Sequence, residues 1–352
     1  TNSDDFVVKL NRGGASDAWI TFKAENKWGA KLDGQNNTTG YCVNFGAVHH
    51  VRVEGLDIYG CKWGGFWSNM GADNIYLYRN KIHHIGRWNG CPDYMYGRAG
   101  VYQGSGSNYF TYDSNIFYTI GRLPQGTPDG TCELHYYQHD HGVYLKGTAH
   151  TDIINNLFYD LKAGWGVQTS LASATIPNTD VNIINNTFAV QRPGGGHVTV
   201  GGTDCTATIQ NNIFYDPGGG SCVITDLSYW YGNPPTSGVV VSNNLTNVTY
   251  SGSTITERWI NTVGSSPINT ASFVFSGNIE ENNPEFVDVV NKDYHLLSNS
   301  PAIDQGLIFS SARIKDADGN SIVGAPDIGA YEYVGSSSLP SGDTTSPAPP
   351  II

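Results

Sequence analysis

The sequence predicts an all-β solenoid, wound from many short strands, with loops inserted between the strands and a cap towards its C-terminal side. Three observations predict it. Of the 352 residues only 14% are charged while 43 are Gly, a mix poor for surface helices and suited to short strands joined by turns. Six segments then repeat one pattern: NIYLYRNKIHH (74–84), YFTYDSNIFYTI (109–120), TDIINNLFYDL (151–161), VNIINNTFAV (181–190), ATIQNNIFYD (207–216) and VVVSNNLTNV (239–248), each running alternating apolar residues into an Asn. Each copy is followed by a second short strand: GFWSN from Gly65, GVYQG from Gly100, GVYLK from Gly142, GVQTS from Gly166, HVTVG from His197 and CVITD from Cys222. A unit of two or three short strands cannot bury its own apolar side, so it must stack on its neighbours.

Aligned, the repeats form a column of Asn80, Asn115, Asn156, Asn186, Asn212 and Asn244, with Leu56 in the same place in the earlier copy VRVEGLDIYG (51–60). A side-chain amide placed once per coil can hydrogen-bond to the amides above and below it, so the column reads as a structural ladder. Spacings of 24 residues from Leu56 to Asn80 and 26 from Asn186 to Asn212 fit one turn, and the 41 residues from Asn115 to Asn156 imply an inserted loop. The Asn-x-Thr sequons at Asn185 and Asn244 fall in or beside this ladder and are therefore not read as glycosylation sites.

Net charge is −12, which excludes nucleic acid and an anionic membrane as main partners, since both need a broad basic surface. A polyanionic polysaccharide is excluded less firmly, because a local basic patch or a bound cation can invert the field. No apolar run is long enough to cross a bilayer and no signal-peptide pattern is found, while a start at Thr1 rather than Met is expected of a processed product or a trimmed chain. Six cysteines, Cys42, Cys61, Cys91, Cys132, Cys205 and Cys222, form no CxxC pair and have no zinc-finger histidines. They read as disulfides of a secreted or cell-surface protein, with six buried thiols as the alternative.

Over positions 5–283 the INNxF-type turns and the HGVYL and GWGVQ segments resemble the right-handed parallel β-helix proteins, the pectate-lyase-like group. That resemblance implies the fold, and a range of activities: polysaccharide lyases, glycoside hydrolases, uronate epimerases and phage tailspikes. NPEFVD, DYHLLSNSPAIDQG and DADGNSIVGAPDIGAYEY (283–333) resemble the closing segment of many secreted bacterial β-helix proteins. The expected organisation is a parallel β-helix over 1–283, a cap over 284–334 that covers the solenoid's apolar end, and a Gly/Ser/Pro/Thr linker or tail over 335–352. Such a tail leads into a further module or packs on the body or a neighbouring copy.

Stacking the second strands turns the repeat into a surface map. Strand alternation sends Phe66, Val101, Val143 and Val167 inward and Trp67, Tyr102, Tyr144 and Gln168 outward in one column. Gly64, Ala99, His141 and Trp165 lie one step back, and Asn69, Gly104, Lys146 and Ser170 one step on. Gly100, Gly142 and Gly166 are read as turn glycines. Two inserted loops, 87–98 and 122–139, flank the face, and a Cys91–Cys132 bridge would tie them into one wall; Cys42–Cys61 and Cys205–Cys222 would link consecutive coils. The densest stretch is HYYQHDHGVYLK (135–146), where His141, Val143 and Leu145 share a parity that Tyr144 and Lys146 do not. Gly142 must therefore bend the strand if His141 is to face outward.

A groove of this kind suits a sugar chain, with Trp67, Tyr102, Trp165, Gln168 and Asp140 as candidate contacts. β-Elimination next to a sugar carboxylate needs a base, a positive group and an acid. His141 or Lys146 can serve as base, with His139 beside them, Arg98 as the charge and Tyr144 as the acid. Hydrolysis needs two facing carboxyl groups; Asp140, Asp93, Asp129 and Glu133 are available, but no pair sits on adjacent coils. Four bland readings stand beside these: loop packing for the histidines, or an ion shared by His139 and His141; a loop-anchoring hydrogen bond for Asp140, which strand alternation points away from both histidines; plain solvated charges for Lys146 and Arg98; a sheet-protecting ladder for the aromatics. The expected function is a secreted polysaccharide lyase acting on a uronate-containing chain, with glycoside hydrolysis, or non-catalytic binding and adhesion, as alternatives. Calcium is the one cofactor in view, as a bridge between an acidic protein and an acidic substrate, although DADGN (316–320) reads as a plain Asp/Gly turn.

Overall fold

The computed structural model describes residues 5–69, 71–87, 97–104, 106–122, 139–161, 164–170, 176–189, 197–201, 204–216, 223–226, 238–248, 251–262, 273–309 and 315–335. It is a right-handed parallel β-helix. Among the described residues three sheets of nine, nine and eight parallel strands run along it, and hydrogen-bonded neighbours in each are one full coil apart, as required when a chain returns to the same sheet after two other strands. Coil 5 is representative: His141–Lys146 belongs to the first sheet, Ala149–Ile154 to the second and Leu157–Tyr159 to the third.

The corner between the second and third strands explains the repeat. The first residue of each doublet takes a left-handed conformation, as at Ser114 (φ 57°), Asn155 (56°), Asn185 (53°), Asn211 (55°) and Asn243 (50°), a region in which Asn is better tolerated than most residues. The second residue builds the ladder. Asn156 Oδ1 accepts from the Asn115 backbone amide (2.9 Å) and side-chain amide (3.1 Å), while Asn156 Nδ2 donates to the Tyr112 carbonyl at 2.8 Å. The same bonds join Asn80 through to Asn244 and run one coil further, to Asn278. In the Leu56 copy, the backbone amide of Leu56 still donates to Asn80 Oδ1 at 3.0 Å.

Inside the tube the inward residues stack coil upon coil. Phe117, Phe158, Phe188 and Phe214 form a continuous pile with centroid spacings of 4.7, 4.6 and 5.2 Å, and each is fully buried. Beyond Phe214 the interior is filled by Trp259. That residue comes from the one-turn helix Ile255–Trp259, which Thr254 and Glu257 start as a capping box. Cys42 and Cys61 are bridged, 19 residues apart; the link closes a single circuit of the coil rather than joining consecutive ones. Cys205 is buried, while Cys91, Cys132 and Cys222 lie outside the described residues, and with them the other two expected bridges.

The C-terminal segment packs against the flank of the tube instead of over its end. Phe286, Tyr294, Leu296, Ala317, Ile328, Ala330 and Tyr331 cluster with Leu157, Ala189, Ile213 and Leu245 of the third sheet. The doublet's first Asn fastens it: Asn185 Nδ2 donates to Asp327 O (2.9 Å), Asn211 Nδ2 to Leu307 O (2.8 Å) and Asn243 Nδ2 to Gln305 O (3.1 Å). The equivalent positions in coils 2 to 4 are Gly55, Arg79 and Ser114, so this amide fastening belongs to the coils with Asn-Asn doublets. Asn185 and Asn244 are 1% and 0% exposed and hydrogen-bonded within the protein, which removes both sequons from reach.

His295 locks the cap, its Nε2 lying 2.7 Å from Asp318 Oδ2 and its Nδ1 against Asp293. Burial alone would lower its pKa, but the hydrogen bonds to Asp318 and Asp293 outweigh that and hold it up to about 9. A raised folded-state pKa contributes stability that is complete below the unfolded value and lost as pH rises through the folded one. The melting-temperature difference between wild type and His295→Gln should therefore be largest below pH ~6.5, corresponding to at most about 3 kcal/mol, and vanish above pH ~9. Melts across that range check it.

Candidate functional site

The outer face of the first sheet has the register expected from the repeat. Trp67 pairs with Tyr102, Tyr102 with Tyr144, Tyr144 with Gln168 and Gln168 with Thr199. Phe66, Val101, Val143 and Val167 are buried in the core. The neighbouring column holds Tyr41, Gly64, Ala99 and His141, and Lys146 pairs with Ser170 on the other side.

His141 reaches this face through a bend. Its amide donates to Arg98 O of coil 4 (2.7 Å), whereas Gly142 and Val143 both donate towards coil 6, to Trp165 O (3.0 Å) and Gly166 O (2.8 Å). Two successive amides aimed at the same neighbour break the strand's alternation. Gly142 is thus a residue within the strand, and the same holds for Gly100, in the strand Ala99–Gln103, so the turn reading is corrected. A Cβ on Gly142 would lie 2.6 Å from Gly166 O and 2.9 Å from Phe158 Cδ1, and one on Gly100 2.7 Å from Gly142 O and 2.9 Å from Phe117 Cδ1. The core pile of phenylalanines leaves room there only for glycine.

Aromatic rings run unbroken along the face. Centroids are 5.5 Å apart for Tyr41 and Trp67, 6.5 Å for Trp67 and Tyr102, 5.5 Å for Tyr102 and Tyr144, 5.3 Å for Tyr144 and His141, and 5.7 Å for His141 and Trp165. Tyr102 and Tyr144 turn their faces to their neighbours, and so offer a ligand ring edges and hydroxyls rather than the open faces on which a sugar stacks. Burial, then the neighbouring Tyr102, pushes Tyr41 up to about 12 against the opposing pull of Arg98; burial raises Tyr102 as well. Both stay protonated, hydrogen-bond donors at neutral pH.

His141 is only 3% exposed, and its Nδ1 accepts the amide of Trp165 at 3.3 Å. In the neutral ring that bond assigns the proton to Nε2, making His141 a donor rather than a base. Lys146 is half-buried on the same face, and His139 is exposed, its carbonyl packed against Gly97.

Two candidates are corrected. Asp140 is fully buried, and its carboxylate accepts from the Arg98 amide (2.9 Å), the Arg122 amide (2.7 Å) and both Nε (3.0 Å) and Nη2 (2.8 Å) of Arg122. With its oxygens taken it is an anchor, not a sugar contact. Arg98 is also fully buried, with its guanidinium 3.8 Å above the Trp63 ring, so it meets no substrate charge directly. Arg122 and Trp63 gave no sequence signal of these roles; the only hint was that Arg122 and Asp140, of opposite charge, bound one insertion. Asp93, Asp129, Glu133 and His135 lie outside the described residues.

Among the described residues no three His, Cys, Asp or Glu side chains converge to hold an ion. At the DADGN turn, Asp316 Oδ1 accepts the amides of Asp318, Gly319 and Asn320 (3.0, 2.8 and 2.7 Å) and Oδ2 that of Glu332 (3.0 Å). Those donors satisfy the carboxylate without a cation, so the turn does not fit calcium. No described helix is long and apolar enough to cross a membrane.

No protein-family model and no curated protein matches this sequence. Among solved structures the chain is similar to pectate lyase Pel9A (14% identity, TM-score 0.48, covering 92% of this chain and 82% of that one). It is also similar to an alginate lyase from Paenibacillus sp. str. FPU-7 (14%, 0.37, 77% and 87%). A third is pectate lyase Bsp165PelA from Bacillus sp. N165 in complex with trigalacturonate (16%, 0.41, 80% and 76%). Nothing about the site follows from likenesses this distant.

The Asp140 anchor predicts a coupled pair. Asp140→Ala strands a buried guanidinium and should cost about 3–5 kcal/mol in chemical denaturation, with Arg122→Met adding little on top of it. Additive losses would show that the two residues act independently.

Proposed function

We propose that this chain is a secreted polysaccharide lyase that binds a uronate-containing chain along the outer face of the first sheet and cleaves it by β-elimination. One observation carries the reading. The first seven strands of that sheet contain no Asp or Glu, although the whole chain has 31. Lys9 and Lys146 lie in these strands, whereas strands of the second sheet hold Glu54, Asp73, Asp113, Asp152 and Asp180. A carboxylate-free face on a protein of net charge −12 lets a polyanion approach without repulsion. Among the described residues of these seven strands there is no pair of carboxyl groups of the kind hydrolysis needs across the bond.

In this reading Lys146 is the base that removes the proton on the carbon next to the uronate carboxylate. The electron pair forms the new double bond and expels the glycosidic oxygen, which takes a proton from the Tyr144 hydroxyl. The His141 Nε2–H supports the charge gathering on the carboxylate, and Tyr102 and Trp67 line the chain's path. The Cys42–Cys61 disulfide supports an oxidising, extracytoplasmic setting.

Incubation with polygalacturonate and with alginate, followed by the ultraviolet absorbance of unsaturated uronate, tests the activity. The expected result is a rise with one polymer, cut roughly 100-fold or more by Lys146→Ala with the melting temperature unchanged. Reducing ends without absorbance would mean a hydrolase, and binding without either product a non-catalytic carbohydrate-binding protein.

A further inference from the structure

Along the outward column the aromatic residues stop at Tyr144, and Gln168 and Thr199 follow in register on coils 6 and 7. Both are buried, Gln168 at 7% and Thr199 at 0% exposed, and neither Gln168 Oε1 nor Thr199 Oγ1 has a hydrogen-bond partner. The ladder amides are satisfied coil by coil, as at Asn186 and Asn212. An unsatisfied buried polar atom costs about 1–3 kcal/mol, and here two sit side by side on adjacent coils of the candidate face. Two unsatisfied polar atoms in register on adjacent coils of this face are groups to which a ligand can bring the missing bonds.

We infer that Gln168 and Thr199 form a hydroxyl-reading subsite next to the reacting coil, an inference that rests on the polysaccharide reading of this face. The chemistry selects what it takes. An amide oxygen accepts only, and the threonine hydroxyl beside it both donates and accepts. A carboxylate offers no proton to Gln168 Oε1, whereas neighbouring hydroxyls of a sugar ring supply one donor to each atom and accept from Thr199 Oγ1. The sugar over coils 6 and 7 is thus held by its hydroxyls, and the uronate carboxylate lies one coil back, over Lys146 and His141. This division makes blocked hydroxyls, more than altered charge, the feature that the subsite rejects.

Gln168→Leu and Thr199→Val remove the polar atoms while keeping the volume, and stability and binding should then move in opposite directions. Without ligand, each variant should melt higher than wild type, because an unsatisfied group has gone. Each should bind a tetramer of galacturonate or of alginate, whichever polymer wild type retains, roughly tenfold more weakly in calorimetry. Wild type should bind the same tetramer with methylated hydroxyls no better than the variants bind the native one. A lower melting temperature in either variant, or unchanged tetramer affinity, overturns the subsite while leaving the polysaccharide reading in place. Wild type that binds neither polymer overturns both.

Discussion

The structure depends on one side-chain amide per coil. From Asn80 to Asn278 each ladder Asn is bonded both to the next Asn and to a carbonyl, so the corner between second and third strands is the same in every turn however long the insertions elsewhere. A buried amide with a missing partner would cost more than most single contacts contribute. The ladder therefore fixes the register of each coil on the next. Once register is fixed, residues far apart in sequence stand in straight columns, and the outer face acquires its chemistry from that alignment. Tyr102 and Tyr144 are 42 positions apart yet neighbours in space.

The core imposes a second constraint on the same coils. The phenylalanine pile is wide enough to exclude a Cβ at Gly100 and Gly142, and the strand bends where glycine sits. That bend turns His141 outward, against the parity it shares with Val143 and Leu145. Packing inside the tube thus decides which titratable group is presented outside it, and the buried Asp140 to Arg122 pair holds the preceding residue in place. Fold and candidate site share these residues, so a substitution aimed at one perturbs the other.

Much of this was written in the sequence at the level of period. The ladder column, the outward run Trp67, Tyr102, Tyr144 and Gln168, and the need for a bend at Gly142 all follow from alternation and repeat spacing. Asn278 belongs to a further copy, FVFSGNIE, that was left out of the column; there Gly277 takes the left-handed corner. Strand parity favoured an anchoring hydrogen bond for Asp140, as found, but the burial of Arg98 was not readable, since it depends on contacts between coils that no local pattern encodes. The open aromatic platform expected of Trp67 and Tyr102 gave way to rings stacked on one another. That outcome is natural when wide side chains repeat at the spacing of adjacent strands. The absence of Asp and Glu from the first seven strands of the first sheet was present in the sequence throughout, but it becomes visible only when strands are sorted by sheet.

An acidic sugar chain is proposed to lie on the outer face of the first sheet, whose first seven strands hold no Asp or Glu. A crystal structure of the protein soaked with an oligouronate tests it most directly. The account predicts saccharide density running across coils 4 to 7, with Tyr102, Tyr144, Lys146 and Gln168 in contact. Density on the second or third sheet, with this face bare, would contradict it.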